Sequence, residues 1–170
     1  GMIYSLKGDY DKALSKYKKS LEIQQEINDQ SEAVGNTYIN LGEICRAQGN
    51  HLQALENYFI GLNIYVKKES KKGIALAYGN IGLIYEEQGM YKKSIDYIYK
   101  SLKIRKEIGD DADLASSYLN LGSVHFGQAK YNLALLNYKK AFKISKELGM
   151  DFYIIASYNN IANVYNEQGL

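Results

Sequence analysis

The chain of 170 residues contains no proline and a single cysteine. Without proline nothing interrupts long helices, and turns fall to Gly, Asn and Asp. A lone cysteine cannot close an internal disulfide, which leans towards a reducing, cytoplasmic compartment. No apolar run approaches the ~20 residues of a membrane span, and no signal peptide is visible. Charge of one sign is also lacking: 21 Lys and Arg stand against 19 Asp and Glu, a formal net charge of +2. Nothing global therefore argues for nucleic acid or an anionic membrane. With 46% apolar and 24% charged residues, the chain can still bury a real core.

What is present is a phrase repeated four times. Tyr38-Ile39-Asn40-Leu41-Gly42, Tyr78-Gly79-Asn80-Ile81-Gly82, Tyr118-Leu119-Asn120-Leu121-Gly122 and Tyr158-Asn159-Asn160-Ile161-Ala162 stand 40 residues apart. A second phrase keeps step with it: Gly8-Asp9-Tyr10 before Ala13, Gly49-Asn50-His51 before Ala54, Gly89-Met90-Tyr91 before Ser94, and Ala129-Lys130-Tyr131 before Ala134. A fixed period of this kind signals stacked supersecondary units.

Apolar residues recur at helical spacing, so Tyr38, Leu41, Gly42 and Cys45 share one helical face. Helices are expected from Asp9 to about 27, then over 31–48, 51–69, 73–88, 91–108, 112–128, 131–148 and 152–168. The expected breaks include Ser70 to Lys72, Gly89, Gly109-Asp110 and Gly149-Met150. Short connections make consecutive helices antiparallel neighbours. The residues without bulk at Gly42, Gly82, Gly122 and Ala162 are expected to let the next helix approach against Ala54, Ser94 and Ala134, small against small. Gly82 is placed on this interior face and Gly79 on a tolerant flank.

The pattern Tyr78, Ile81, Gly82, Tyr85, with a small residue twelve on at Ser94, resembles the tetratricopeptide repeat, usually about 34 residues long. Tyrosine stands where that family usually has tryptophan, the terminal proline is missing, and each unit is longer. In this it is similar to the variant arrays of cell-polarity adaptors, kinesin light chains and bacterial signalling proteins. The resemblance implies an all-α, right-handed superhelical solenoid of antiparallel helix pairs acting as a protein–protein interaction module. The chain reads as one array over 1–170: a partial repeat at 1–30, repeats at 31–72, 73–111 and 112–151, and an unpaired helix at 152–170. Residues Gly1 to Gly8 match the back half of a first helix, and the last helix displays Tyr158, Ile161 and Tyr165 without a following partner. An excerpt of a longer protein is expected, with end-to-end or helix-exchanged self-association through that last face.

No catalytic site, cofactor or metal is expected. His51 fills the slot of Tyr10, Tyr91 and Tyr131; His125 and Cys45 fill that of Tyr85 and Tyr165, so all three read as packing residues. The glycines at 79 and 82 lie within a helix and do not form a phosphate loop. Lys18, Lys19, Lys67, Lys68, Lys92, Lys93, Lys139 and Lys140 fall on second helices among Glu22, Glu26, Asp96, Glu107 and Glu147. They read as a solvated ridge rather than a nucleic-acid surface.

Opposite the packing face, at 100° per residue, lie Asn36, Asn40, Glu43 and Ala47. The matching stripes are Leu76, Asn80, Leu83 and Glu87; Ser116, Asn120, Ser123 and Gly127; and Ala156, Asn160, Asn163 and Glu167. Only the asparagine holds in all four. By the resemblance, this stripe lines the concave groove, where amides offer a peptide backbone both donor and acceptor. The alternative is asparagine bonded locally within its own helix. Leu76, Leu83 and Leu119 would add apolar contact, while Glu43 and Glu87 favour a ligand lysine or arginine. The expected partner is a neutral or basic extended protein segment. The other readings are a structural spacer with an empty groove and nucleic-acid binding through the lysines.

Overall fold

The computed structural model describes residues 9–169. The expectation for Gly1 to Gly8 lies outside the described residues. Among the described residues eight helices follow one another: α1 (Tyr10–Glu26), α2 (Glu32–Ala47), α3 (His51–Lys67), α4 (Lys71–Glu87), α5 (Tyr91–Ile108), α6 (Asp111–Gly127), α7 (Tyr131–Glu147) and α8 (Asp151–Gln168). The described residues contain no strand, so the all-α expectation holds. The chain divides into two compact units, Gly1–Ile84 and Tyr85–Leu170.

One turn chemistry serves nearly every connection. The N–H groups of Asn50, Ser70, Met90, Asp110, Lys130 and Met150 each donate to the carbonyl five residues back, at 2.8–3.0 Å. This helix closure needs a residue in the left-handed region. Gly89 supplies it at φ +70 without steric cost, whereas Glu69 and Ala129 adopt it as L-residues at φ +55. Glu69 also explains a displaced boundary. The chain turns there, Ser70 Oγ accepts from the Gly73 N–H at 3.3 Å, and α4 starts at Lys71 rather than at 73. The expected break at Ser70 to Lys72 is there, but the turn is tighter than expected and the helix begins within it.

In the first unit Ala13 and Ala54 are fully buried, and Leu41 and Cys45 join them in the core. The packing at Gly42 differs from the expected small-against-small contact. A Cβ at Gly42 would overlap the ring of Tyr58, which is itself fully buried. The glycine leaves room for an aromatic ring to lie across the helix, and the alanine is buried beside it. The second unit repeats the device with Gly122 and Tyr138. There Ile98, Leu102, Leu121, Val124, Ala141 and Val164 complete the core. Gly79 is buried, so the tolerant flank expected for it is an interior position.

A second seam in each unit lies nearer the turn. In the first, the Tyr65 ring sits against Gly35 and Gly73, where any Cβ would collide with it, and its hydroxyl donates to Asn36 Oδ1 at 2.6 Å. In the second, Arg105 occupies the matching place and is 5% exposed. Its guanidinium donates to the Asp113 carbonyl and the Ser117 hydroxyl and lies 3.6 Å from the Asp113 carboxylate. Burial lowers the Arg105 pKa, with Asp113 opposing it; an arginine stays charged regardless.

Candidate functional site: the asparagine faces of the first helices

Helices α2, α4, α6 and α8 each turn one face to the core, and the stripe opposite it is half-buried or exposed. Asn40, Asn80, Asn120 and Asn160 lie half-buried on that opposite face. Their amides make no hydrogen bond among the described residues. Other asparagines here behave differently. Asn57 and Asn137 donate to the carbonyls four residues back, those of Gln53 and Leu133, each at 2.7 Å. Local bonding is therefore available to helical asparagine in this protein, and the four on the open faces do not use it.

Their neighbours divide. In the first unit Leu76 and Leu83 are half-buried and Asn36 is exposed, its amide oxygen already engaged by Tyr65. Asn36 therefore touches its own partner helix, although its stripe was expected to lie opposite the packing face. Glu43 is half-buried and 3.4 Å from Arg46, so its charge is matched within its helix. Burial foremost, and then the Glu43 carboxylate, push the Tyr58 phenol far above its ordinary pKa.

In the second unit Ser116 is half-buried, Asn163 is exposed, and the Ser123 hydroxyl donates to Glu86 Oε1. Leu119 does not line the open face. It packs in the core with Tyr118 and Leu121, because position 119 is rotated far enough from Asn120 to meet the neighbouring helices. Glu87, on the expected stripe, is exposed. Its neighbour Glu86 was not among the expected site residues, yet it is half-buried beside Ser123. Burial raises its pKa, with the Ser123 bond opposing. The available signal was its repeat register, since Glu86 aligns with Arg46, which pairs with the stripe residue Glu43 in the first unit.

The remaining candidates lie elsewhere. Cys45 and His125 are buried, burial raising the thiol pKa and lowering the imidazole pKa. No group of metal-ligating side chains forms among the described residues. The lysines of the expected ridge are exposed on α1, α3, α5 and α7 or at their ends. Two of them rest on tyrosine rings, Lys93 over Tyr85 at 5.2 Å and Lys140 over Tyr118 at 5.3 Å. No described helix is long and apolar enough to cross a membrane.

The repeat register, the helix pairs and the glycine-admitted rings agree with one family, whose tetratricopeptide repeat profile matches residues 1–58 and 73–147. The chain belongs to the tetratricopeptide repeat family. The family is one of generally non-enzymatic interaction scaffolds. No curated protein matches the sequence significantly. Solved tetratricopeptide-like structures match its fold throughout. BtubC (BKLC) from P. vanneervenii is 22% identical with a TM-score of 0.83, covering 98% of this chain and 69% of that one. A Rap protein complexed with Competence and Sporulation Factor is 17% identical with a TM-score of 0.88, covering 99% of this chain and 47% of that one. The chain thus spans about half the length of that Rap protein. A kinesin light chain-like protein from Podospora anserina is 14% identical with a TM-score of 0.76, covering 99% and 82%.

Proposed function

We propose that this chain is a protein–protein interaction scaffold that holds an extended segment of a partner against its asparagine faces. The observation that carries the reading is the set of four half-buried amides without a hydrogen bond. Amides not engaged within the protein are available to a ligand, and a peptide backbone supplies both a donor and an acceptor for each. The faces carry no lysine or arginine among the stripe residues, so a terminal carboxylate is a poor fit and a neutral or basic segment a good one. The Rap protein solved with Competence and Sporulation Factor supports ligand capture by this architecture.

The test is a peptide array followed by titration of a hit. Each neutral hydrogen bond contributes about 0.5–1.5 kcal/mol. Asn40→Ala with Asn80→Ala in the first unit, or Asn120→Ala with Asn160→Ala in the second, should weaken binding by roughly ten- to a hundredfold. Circular dichroism should be unchanged, because the amides hold nothing within the protein. Undiminished affinity in both folded double mutants places the site elsewhere.

A second reading rests on α8, where Phe152 is 76%, Ile155 60% and Tyr158 58% exposed. An apolar face of this kind favours association with a second copy. Light scattering should show mass rising with concentration, and Phe152→Glu with Tyr158→Glu should hold the chain monomeric. Monomeric wild type at millimolar concentration removes this reading.

A further inference from the structure

The two units treat a carboxylate on the open face in opposite ways. In the first, Glu43 lies 3.4 Å from Arg46 on the same helix, and both are close enough to the Tyr58 phenol to shift its pKa. In the second, Ser123 and Tyr138 stand two repeats after Glu43 and Tyr58, and Glu86 comes from the helix one repeat before theirs. Here Ser123 donates to Glu86 Oε1. The Tyr138 phenol, 3% exposed, is close enough to both residues for them to shift its pKa, which burial first of all raises to about 12. Among the described residues Glu86 makes no ion pair, and the neighbouring Glu87 charge adds to the effect of burial.

A half-buried carboxylate with one oxygen held by a hydroxyl and no counter-charge is an incomplete ion pair. Ser123 fixes Oε1 and leaves Oε2 as the acceptor. Asn120, with its unbonded amide, lies one turn before Ser123 on α6. We infer that Glu86, clamped by Ser123 over Tyr138, is a subsite for one lysine or arginine side chain of the bound segment, whose backbone Asn120 engages. This rests on the reading of the asparagine faces as the ligand surface, and it sharpens that reading. Of the stripe acids, Glu43 is already paired, and Glu87 and Glu167 are exposed. The selective carboxylate is Glu86, in the second unit alone.

The probe is a library of extended octapeptides, acetylated and amidated to remove terminal charge. One position in turn is fixed as Lys, Arg, Gln or Glu. Against the whole chain, the Lys- and Arg-fixed pools should bind about tenfold tighter than the Gln-fixed pool. Glu86→Gln should erase that preference and leave binding of the Gln pool unchanged. Glu86→Arg, which reverses the charge, should turn the preference towards Glu. Asn120→Ala should weaken every pool alike. Circular dichroism of each variant excludes unfolding. Peptide binding with no preference for Lys or Arg, or a preference that survives Glu86→Gln, overturns the subsite and leaves the asparagine faces standing. Absence of binding by any pool overturns both.

Discussion

The seams at Tyr65 and Arg105 occupy the same place in successive repeats and are built from opposite materials. Around Tyr65 the neighbours have shrunk to Gly35 and Gly73 so that an aromatic ring fits. Beside Arg105 the position matching Gly73 is Asp113, and the side chain is held by a carbonyl, a hydroxyl and a carboxylate. One seam is a steric fit, the other a buried polar network. A third solution follows at the next matching pair, Ser145 and Tyr153, where the large residue has moved to the other helix. A repeat therefore conserves the space between its helices more strictly than the residues that fill it. Close packing demands a constant volume, and several combinations of side chains can supply it.

Breaking the steric seam should have the largest effect. Gly73→Leu drives a side chain into the Tyr65 ring and should cost about 3 kcal/mol or more in a denaturant melt; Asp113→Leu, at the matching place, should cost clearly less because no ring lies there. Equal losses would show that the two seams are not built differently. Next comes the polar seam. Arg105→Ala leaves a cavity and strips the Ser117 and Asp113 contacts, and about 2–4 kcal/mol of stability should go with them. Converting one seam towards the other sharpens the contrast: Arg105→Tyr should be relieved by Asp113→Gly, with a favourable coupling of about 1 kcal/mol in a double-mutant cycle. Strict additivity would mean that the two residues do not share their space.

The smallest effect separates Cys45 from His125, again one repeat position filled two ways. Burial, and then Lys130, hold the His125 pKa below its ordinary 6.5. The unfolded chain thus takes up a proton before the folded one does. The stability that His125 contributes is complete above about pH 6.5 and declines as the pH falls from there towards the lower folded pKa. His125→Cys, copying the first unit, should remove that part of the acid sensitivity, measured as the difference between melts of variant and wild type at pH 7.5 and 5. An unchanged difference would show the imidazole to be as accessible folded as unfolded.

Much of this was legible in the chain. A forty-residue period, helical spacing, the absence of proline and the recurrence of asparagine opposite glycine together specify helix pairs, their boundaries and the open face of each first helix. These properties depend on residues a few positions apart, and rotation about a helix axis follows from the count alone. Other features depend on residues brought together from distant positions. The sequence shows a glycine at 42 and a tyrosine at 58, but only packing reveals that the ring lies across the glycine. Leu119 sits next to Asn120 in the chain and turns into the core. Glu86 looks like one more surface acid until Ser123 bonds to it. By itself the sequence determined which faces are apolar and which helices exist, since those are matters of local period. Tertiary structure alone decided which side chain fills each gap and which amides remain unbonded, because space and hydrogen-bond partners are shared between helices far apart in the chain.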